Sequence, residues 1–166
     1  LKLYNPDVRA FDVKDESGAH VALFLGDYFA RPSKRGGAWM SAFRTQQKLE
    51  GNIRPIIVNV LNVAKPASGD DPLLSLDEAR TLFHEFGHAL HGMLSDVTYP
   101  SLAGTSVSTD FVELPSQLYE HWLLQPDVLR RFAHHAETGA AIPEALIEKL
   151  KAARGFNQGF ATVEYC

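Results

Sequence analysis

Two histidines and a glutamate lie within one five-residue stretch, His84-Glu85-Phe86-Gly87-His88. In a helix, residues four positions apart lie on one face, so His84 and His88 can bind the same cation. A zinc ion held by two histidines and an acidic residue keeps a position for water, whose pKa it lowers to about 7. Glu85 lies beside the histidines and can take the proton of that water. The motif therefore predicts the zinc site of a metallopeptidase, with one Zn²⁺ per chain.

The residues around this motif favour a helix. Apolar side chains recur between positions 74 and 94 at spacings of three and four, which is the helical pattern. Ser75 followed by Glu78 is a capping box, which satisfies free amide groups at a helix start. Gly87 in the helix interior costs about 1 kcal/mol relative to alanine, which suggests that another segment packs closely there. The pattern leaves open the alternative that His84 and His88 are ordinary histidines of a core helix.

A third ligand is expected from a separate helix, because two histidines alone hold zinc poorly. Glu113 is the best candidate, and it follows a loop of small residues, 101–108, that lets the chain turn back. Asp110 lies on the same helix face, so one carboxylate could bind the metal while the other orients a ligand histidine. Asp110 could instead be an N-cap. Pro115 is expected to kink this helix close to Glu113.

Two further residues are candidates for substrate contact. His91 lies on the same helix face as His84 and His88, with a hydrogen-bonded structural role as the alternative. Gly104 lies in the small-residue loop and would let that loop adopt more than one conformation near a peptide. The alternative for the loop is a plain connector.

These segments resemble the M3 family of zinc oligopeptidases, and the resemblance runs over essentially the whole chain. The matching runs are 83–91, 110–117 with Glu120-His121-Trp122, and 26–31 leading into 36–40. The resemblance implies zinc bound by His84, His88 and Glu113, with Glu85 as general base and acid. It also implies release of dipeptides from the C-termini of oligopeptides. Within the family the bacterial peptidyl-dipeptidases are most similar, and endopeptidases of the oligopeptidase A type are the alternative.

The resemblance further implies that the chain is a fragment of a longer catalytic domain. Family members are several times longer, a helical N-terminal half walls their substrate channel, and their oxyanion-binding His and Tyr lie downstream of the matched region. Residues 156–166 predict a helix without a closing residue, which suggests a truncation. Loss of oxyanion donors costs roughly 10²–10³ in rate for each donor, so weak activity is expected. A non-catalytic zinc-binding fragment is the alternative.

The N-terminal part favours strands. Segments 11–14 and 19–25 flank a predicted hairpin turn at 15–18, and a third strand runs from 53 to 63. Pro55 indicates either a strand start or an edge strand. An exposed edge strand near the zinc helix could pair with a substrate backbone, and residues 36–39 could lie along it. The alternative for Gly36-Gly37 is a flexible turn.

The C-terminal part favours helices. Segments 126–133 and 143–150 each begin with proline, which is typical of a first helical turn. We therefore expect a mainly α fold with a small β-sheet, of the α+β class and zincin-like. Residues 1–166 are expected to form part of one metallopeptidase catalytic domain. Within it, residues 1–65 would be mostly strands and loops, and residues 73–166 mostly helical.

Composition limits the partners. The net charge of −4 provides no basic field for nucleic acid, and no apolar run of about 18 residues predicts a membrane span. The single cysteine, Cys166, excludes an internal disulfide and suits a reducing compartment, so a cytoplasmic protein is expected. The expected partner is an oligopeptide substrate. Apolar faces that a longer chain would cover are expected to promote self-association.

Overall fold

The computed structural model describes residues 2–67, 69 and 71–165. The chain divides into two compact units, residues 1–120 and 121–166, and each is described by itself. Cys166 lies outside the described residues. That residues 1–166 belong to one catalytic domain stays a prediction.

The first unit contains a mixed four-stranded sheet. Its strands are β1 (Arg9–Lys14), β2 (His20–Phe29), β3 (Trp39–Arg44) and β4 (Ile56–Val63), in the order β1-β2-β4-β3. β1 pairs antiparallel with β2, β2 pairs parallel with β4, and β4 pairs antiparallel with β3. The sheet edges are therefore β1 and β3.

The predicted hairpin is confirmed by β1 and β2. Its turn is held by the carboxylate of Asp15, which accepts hydrogen bonds from the backbone amides of Ser17 and Ala19. Gly18 adopts a φ of 83°, a left-handed conformation that glycine reaches without steric cost.

β4 begins directly after Pro55 and lies between β2 and β3. The strand-start interpretation of Pro55 is therefore confirmed, and the edge interpretation is wrong. Five successive residues from Ile57 to Leu61 are buried, because β4 is covered on both of its faces. This double burial explains the near-continuous apolar run in the sequence.

The edge strand β3 is not predicted by the sequence patterns. Its residues from Ser41 to Arg44 are exposed, so the alternation typical of a half-buried strand is absent. Gly36 and Gly37 lie in the loop before it, and Gly37 has a φ of 95°. The glycines thus form a turn, and the edge strand starts two residues later, at Trp39.

The helix that carries the histidine motif is α1 (Leu76–Met93), which begins with the predicted capping box of Ser75 and Glu78. On one face of the sheet, Ala89 and Met93 of α1 pack with Phe24 and Ile57. The opposite face carries a second apolar cluster, whose buried members are Val8, Leu25, Val58 and Val60. The central strands β2 and β4 are thus buried on both sides, whereas most residues of the edge strands are exposed.

The chain continues as α2 (Thr109–Val112) and α3 (Leu114–Leu123). The second unit contains α4 (Pro126–Phe132), α5 (Glu144–Gly155) and α6 (Gln158–Tyr165). Both proline-initiated helices are confirmed, since Pro126 is the first residue of α4 and Pro143 is the N-cap of α5. The α+β class is confirmed by the sheet and these helices. Of the helices within the described residues, none is both long enough and apolar enough to cross a bilayer.

Candidate metal centre

α1 presents His84 and His88 from successive turns of one helix face. Their ring centroids are 4.9 Å apart and the rings are nearly perpendicular, with an interplanar angle of 83°. The side chain of His84 is 26% exposed and that of His88 is 12% exposed. Both rings therefore stand at the border between the protein interior and solvent, where an ion can reach them.

Glu113 lies at a break between two helices. It is the C-cap of α2, and α3 begins at the next residue. Pro115 has no backbone N–H and cannot donate to the preceding turn, so α2 and α3 do not form one continuous helix. The predicted distortion near Glu113 is confirmed, as a break in the helix. Ser116 fixes the side chain, because its hydroxyl lies 2.7 Å from Glu113 Oε2.

The backbones of α1 and α3 are in close contact at Gly87. A Cβ atom at this position would lie 2.5 Å from the carbonyl oxygen of Pro115 and 2.5 Å from the Cα of Ser116. No side chain fits there, so the close packing predicted from Gly87 is confirmed. This backbone contact lies one helical turn or less from both histidines, and it brings Glu113 next to them.

The three predicted ligands converge on one point. His84 Nε2 and His88 Nε2 each lie 3.3 Å from Glu113 Oε2. One ligand atom from each of the three residues lies within 4.8 Å of the other two. Two atoms that bind a tetrahedral zinc ion at about 2.0–2.2 Å lie about 3.3–3.6 Å apart. The spacing of the carboxylate from both imidazoles therefore fits a zinc ion.

Glu120 orients the first histidine. Its Oε1 lies 2.6 Å from His84 Nδ1, and its Oε2 accepts a 2.7 Å hydrogen bond from Arg80 Nε. Partial burial raises the pKa of Glu120, but the hydrogen bonds from His84 and Arg80 outweigh this effect and hold the pKa below its usual value. An anionic Glu120 accepts a hydrogen bond from the protonated Nδ1 of His84. The other ring nitrogen, Nε2, then carries a lone pair on the side that faces Glu113.

His88 is more buried than His84. Burial lowers the pKa of His88, and the positive charge of His84 lowers it further, while the carboxylate of Glu113 acts in the opposite direction. The neutral imidazole that burial favours is the form that binds a metal ion. Its Nδ1 is buried and has no hydrogen-bond partner within the part of the chain that the structure describes. His88 therefore lacks the carboxylate support that Glu120 gives to His84.

Glu85 is the buried carboxylate of this region, with 6% of its surface exposed. Burial raises its pKa, and the negative charge of Glu113 raises it further, while His84 and the backbone amide of Met40 act in the opposite direction. A carboxylate whose pKa is raised holds a proton more readily, as a general base must do after taking one. The catalytic role of Glu85 stays a prediction.

Asp110 is exposed in the first turn of α2, and Ser108 is the N-cap of that helix. The N-cap interpretation of Asp110 is therefore wrong. Glu120, rather than Asp110, is the carboxylate that contacts His84. Glu113 is the C-cap of this four-residue helix, three positions after Asp110, and a role of Asp110 beside the metal or substrate stays a prediction.

His91 and Gly104 lie at the end of α1. The Nδ1 of His91 is buried without a hydrogen-bond partner in the described residues, and its ring packs edge-on against Phe111 at 6.0 Å. Gly104 has a φ of 56°, and a Cβ there would lie 3.1 Å from the Cα of Gly92. Its amide donates to Ser95 Oγ at 2.6 Å. Gly104 thus packs its loop against α1, and substrate contact by either residue stays a prediction.

Sequence reasoning missed three residues that support the site, namely Arg80, Ser116 and Glu120. A signal was present in their spacing. Ser116 and Glu120 follow Glu113 by three and seven positions, which are helix neighbours, and Arg80 precedes His84 by four.

The chain is similar to known peptidases over almost its whole length. The model of Peptidase family M3 matches residues 2–166. A dipeptidyl carboxypeptidase of Escherichia coli (strain K12) is 48% identical over 164 residues, which cover 99% of this chain and 24% of that protein. An oligopeptidase A of the same organism is 40% identical over 159 residues, covering 94% of this chain and 23% of that protein.

An organellar oligopeptidase A from Arabidopsis thaliana is 42% identical over 164 residues, covering 95% of this chain and 21% of that protein. The chain thus spans about a quarter of the length of the curated relatives it matches. Because the family model covers almost every residue, the chain belongs to peptidase family M3.

Proposed function

We propose that the chain is the metal-binding part of a zinc peptidase that releases dipeptides from the C-termini of oligopeptides. The observation that carries the proposal is the convergence of His84 Nε2 and His88 Nε2 on Glu113 Oε2, at 3.3 Å each. The zincin-like arrangement and a single catalytic domain for residues 1–166 belong to the same proposal.

Each residue has one role in the proposed reaction. His84, His88 and Glu113 hold the ion, and Glu120 keeps His84 in the tautomer whose Nε2 is free. A bound zinc ion supplies Lewis acidity toward water and a peptide carbonyl. Glu85 takes the proton of the attacking water on its carboxylate and returns it to the leaving amine. Its burial supports this exchange, because a raised pKa brings it closer to neutral pH.

The edge strand β3 is proposed to bind the substrate backbone. Its outer side carries no strand partner within the described sheet, and α1 packs against the same sheet. An extended peptide can pair with such an edge whatever its sequence, which suits an enzyme of many oligopeptides. A cytoplasmic location and self-association through exposed apolar side chains stay proposals as well.

The first experiment measures the zinc content of the purified chain and of Glu113→Ala. We expect about one zinc per chain, and a zinc affinity reduced by at least about 100-fold in the variant, because one of three ligands is lost. Asp110→Ala is the matched control, since this nearby carboxylate is exposed and should leave zinc binding unchanged. Equal zinc binding by Glu113→Ala and the native chain would contradict the proposed ligand set.

A second experiment separates the two peptidase modes. The complete protein that contains this chain is incubated with one peptide that has a free C-terminus and with the same peptide as a C-terminal amide. Release of dipeptides from the free form alone supports the dipeptidase, and internal cleavage of both forms supports the alternative of an oligopeptidase A-like endopeptidase. Glu85→Gln should abolish either activity while zinc stays bound. If the complete protein cleaves the peptides and the chain alone binds zinc without cleaving either, the chain is a non-catalytic zinc-binding fragment.

A further inference from the structure

A cavity lies on the face of the sheet opposite α1. Its volume is about 650 Å³, which is within the range of small-molecule sites. Val60 and Trp39 form its floor, and both belong to the apolar cluster on this face. None of its lining residues belongs to the candidate metal centre.

The wall of this cavity carries more positive than negative charge. Arg31, Lys34 and Arg35 line it, and Asp27 is the only acidic residue among the described lining residues. The side chain of Asp27 is 2% exposed, that of Lys34 is 4% exposed and that of Arg31 is 22% exposed. One buried carboxylate thus faces two cations, and the excess positive charge lies where water screens it poorly.

The donors of Lys34 are fully used within the protein. Its ammonium group contacts the carbonyl oxygens of Asp27 and Phe29 at 2.8 Å, and also that of Leu61. It lies 3.2 Å from the Asp27 carboxylate as well. Three ammonium hydrogens are therefore matched to at least as many acceptors, and Lys34 contributes charge to the cavity but no free donor.

Arg31 retains unused donors. Its Nη1 and Nη2 each donate one hydrogen bond to Asp27, at 2.6 and 2.7 Å. A guanidinium group has five N–H donors, so three remain without a hydrogen bond to any described residue. The Arg35 side chain is exposed and forms no ion pair with any described residue. The free donors and the excess charge both suit an anion, and a carboxylate matches the guanidinium fork.

Aromatic rings surround the same position. Tyr4 and Phe43 pack edge to face with centroids 6.0 Å apart, and the guanidinium of Arg31 lies 5.9 Å from the Tyr4 ring centroid. Tyr4 donates a hydrogen bond to Asp27, and burial together with that bond raises the pKa of Tyr4 to about 12, so the phenol stays neutral. Tyr4 and Phe43 remain 54% and 63% exposed, which leaves ring faces free for a flat apolar group.

From this combination we propose that the cavity binds an aromatic carboxylate, such as the C-terminal phenylalanine of a peptide. The carboxylate pairs with the free donors of Arg31 and with Arg35, and the aromatic ring packs on Trp39 and Phe43. The site is independent of the metal centre, so peptides can be held there without being positioned for hydrolysis.

The test is a titration of the metal-free chain with N-acetylphenylalanine, followed by Trp39 fluorescence. Of the two tryptophans, Trp122 is replaced by Phe, so that the signal comes from the cavity. We expect saturable binding that is at least about tenfold weaker for N-acetylphenylalaninamide, because the amide lacks the charge that the guanidinium groups bind. Binding should be unchanged in Glu113→Ala, which separates this site from the metal centre.

Variants locate the site. Arg31→Met should weaken binding by about tenfold or more, and since it also removes a partner of buried Asp27, circular dichroism must show that it folds. Arg35→Met is the second variant, because its side chain is exposed, and it should weaken binding by roughly fivefold. Arg154→Met, an exposed arginine of α5, should have no effect. Equal affinity for acid and amide, or unchanged binding in Arg35→Met, would overturn the proposal.

The complete protein provides the last check. If it binds N-acetylphenylalanine as the chain does, the cavity is a ligand site. If only the isolated chain binds, another segment of the protein occupies the cavity, and the proposal is wrong.

Discussion

Among the described residues of the first unit, two carboxylates are buried, and their surroundings are opposite. Asp27 of β2 is 2% exposed and receives hydrogen bonds from Arg31, Lys34 and Tyr4. Burial acts to raise the pKa of Asp27, but these hydrogen bonds outweigh it and hold the pKa below its usual range. Glu85 of α1 is 6% exposed and has no cationic side chain of Lys or Arg within ion-pair distance in the described residues, so burial raises its pKa.

This difference separates a structural carboxylate from one available for chemistry. Asp27 holds its charge at any pH near neutrality, and its lone pairs are occupied by neighbours. Glu85 is close enough to His84 and Glu113 for both charges to affect its pKa, which burial raises. Burial alone therefore does not identify a catalytic group, whereas burial without a paired cation does favour one.

The largest effect is expected from Asp27→Asn. The variant leaves two cations facing a neutral side chain in a buried position, and we expect it to lose about 3–5 kcal/mol of unfolding free energy in urea denaturation. Asp12→Asn is the control, because Asp12 and its partners His20 and Lys14 are exposed, and it should change little. The native stabilisation by Asp27 should persist above about pH 4 and disappear as pH falls through the lowered pKa. A mild effect of Asp27→Asn at pH 7 would show that Asp27 is not paired as described.

Glu120→Gln tests a carboxylate between these two cases, since Glu120 is partly exposed and pairs with both Arg80 and His84. We expect zinc affinity to fall by about 10–100-fold in chelator competition, because the amide no longer fixes the His84 tautomer. Glu148→Gln, which disrupts an exposed pair with Lys151 on α5, should leave the affinity unchanged. Identical zinc affinities of Glu120→Gln and the native chain would limit Glu120 to a surface ion pair.

The smallest effect is expected from Glu85→Gln in the metal-free chain. Unlike Asp27→Asn, this substitution should raise the unfolding free energy. Because the pKa of Glu85 is raised in the folded state, its contribution to the unfolding free energy is fully present below the unfolded-state pKa of about 4.3. That contribution is lost as pH rises through the folded-state pKa. Removing the charge should therefore stabilise the chain at pH 7 by about 1 kcal/mol and have no effect near pH 4. Glu16→Gln, in the exposed hairpin turn, is the control for loss of a carboxylate. A destabilised Glu85→Gln at pH 7 would remove the contrast with Asp27.

Features governed by local interactions were predictable from the sequence. Ser75 and Glu78 specify the start of α1 within one turn, and the Asp15–Gly18 turn specifies the hairpin. Gly87 indicated a close contact, although its partner could not be identified, because Ser116 lies 29 residues further along the chain. The edge strand β3 was missed because its exposed residues carry no alternation. The role of Glu120 was missed because it depends on how α3 lies across α1, which is a tertiary contact.

The contact at Gly87 has a consequence for the choice of ion. The separation of α1 from α3 is set there by backbone atoms, which cannot change rotamer to widen the space between them. Calcium requires ligand distances of about 2.3–2.6 Å and six to eight oxygen atoms, and this pair of helices can expand for it only by breaking their packing. If the proposed ligands hold an ion, discrimination against large cations lies in the main chain. Pro115 and Ser116 follow the proposed ligand Glu113 by two and three residues, and Gly87 precedes the proposed ligand His88 by one.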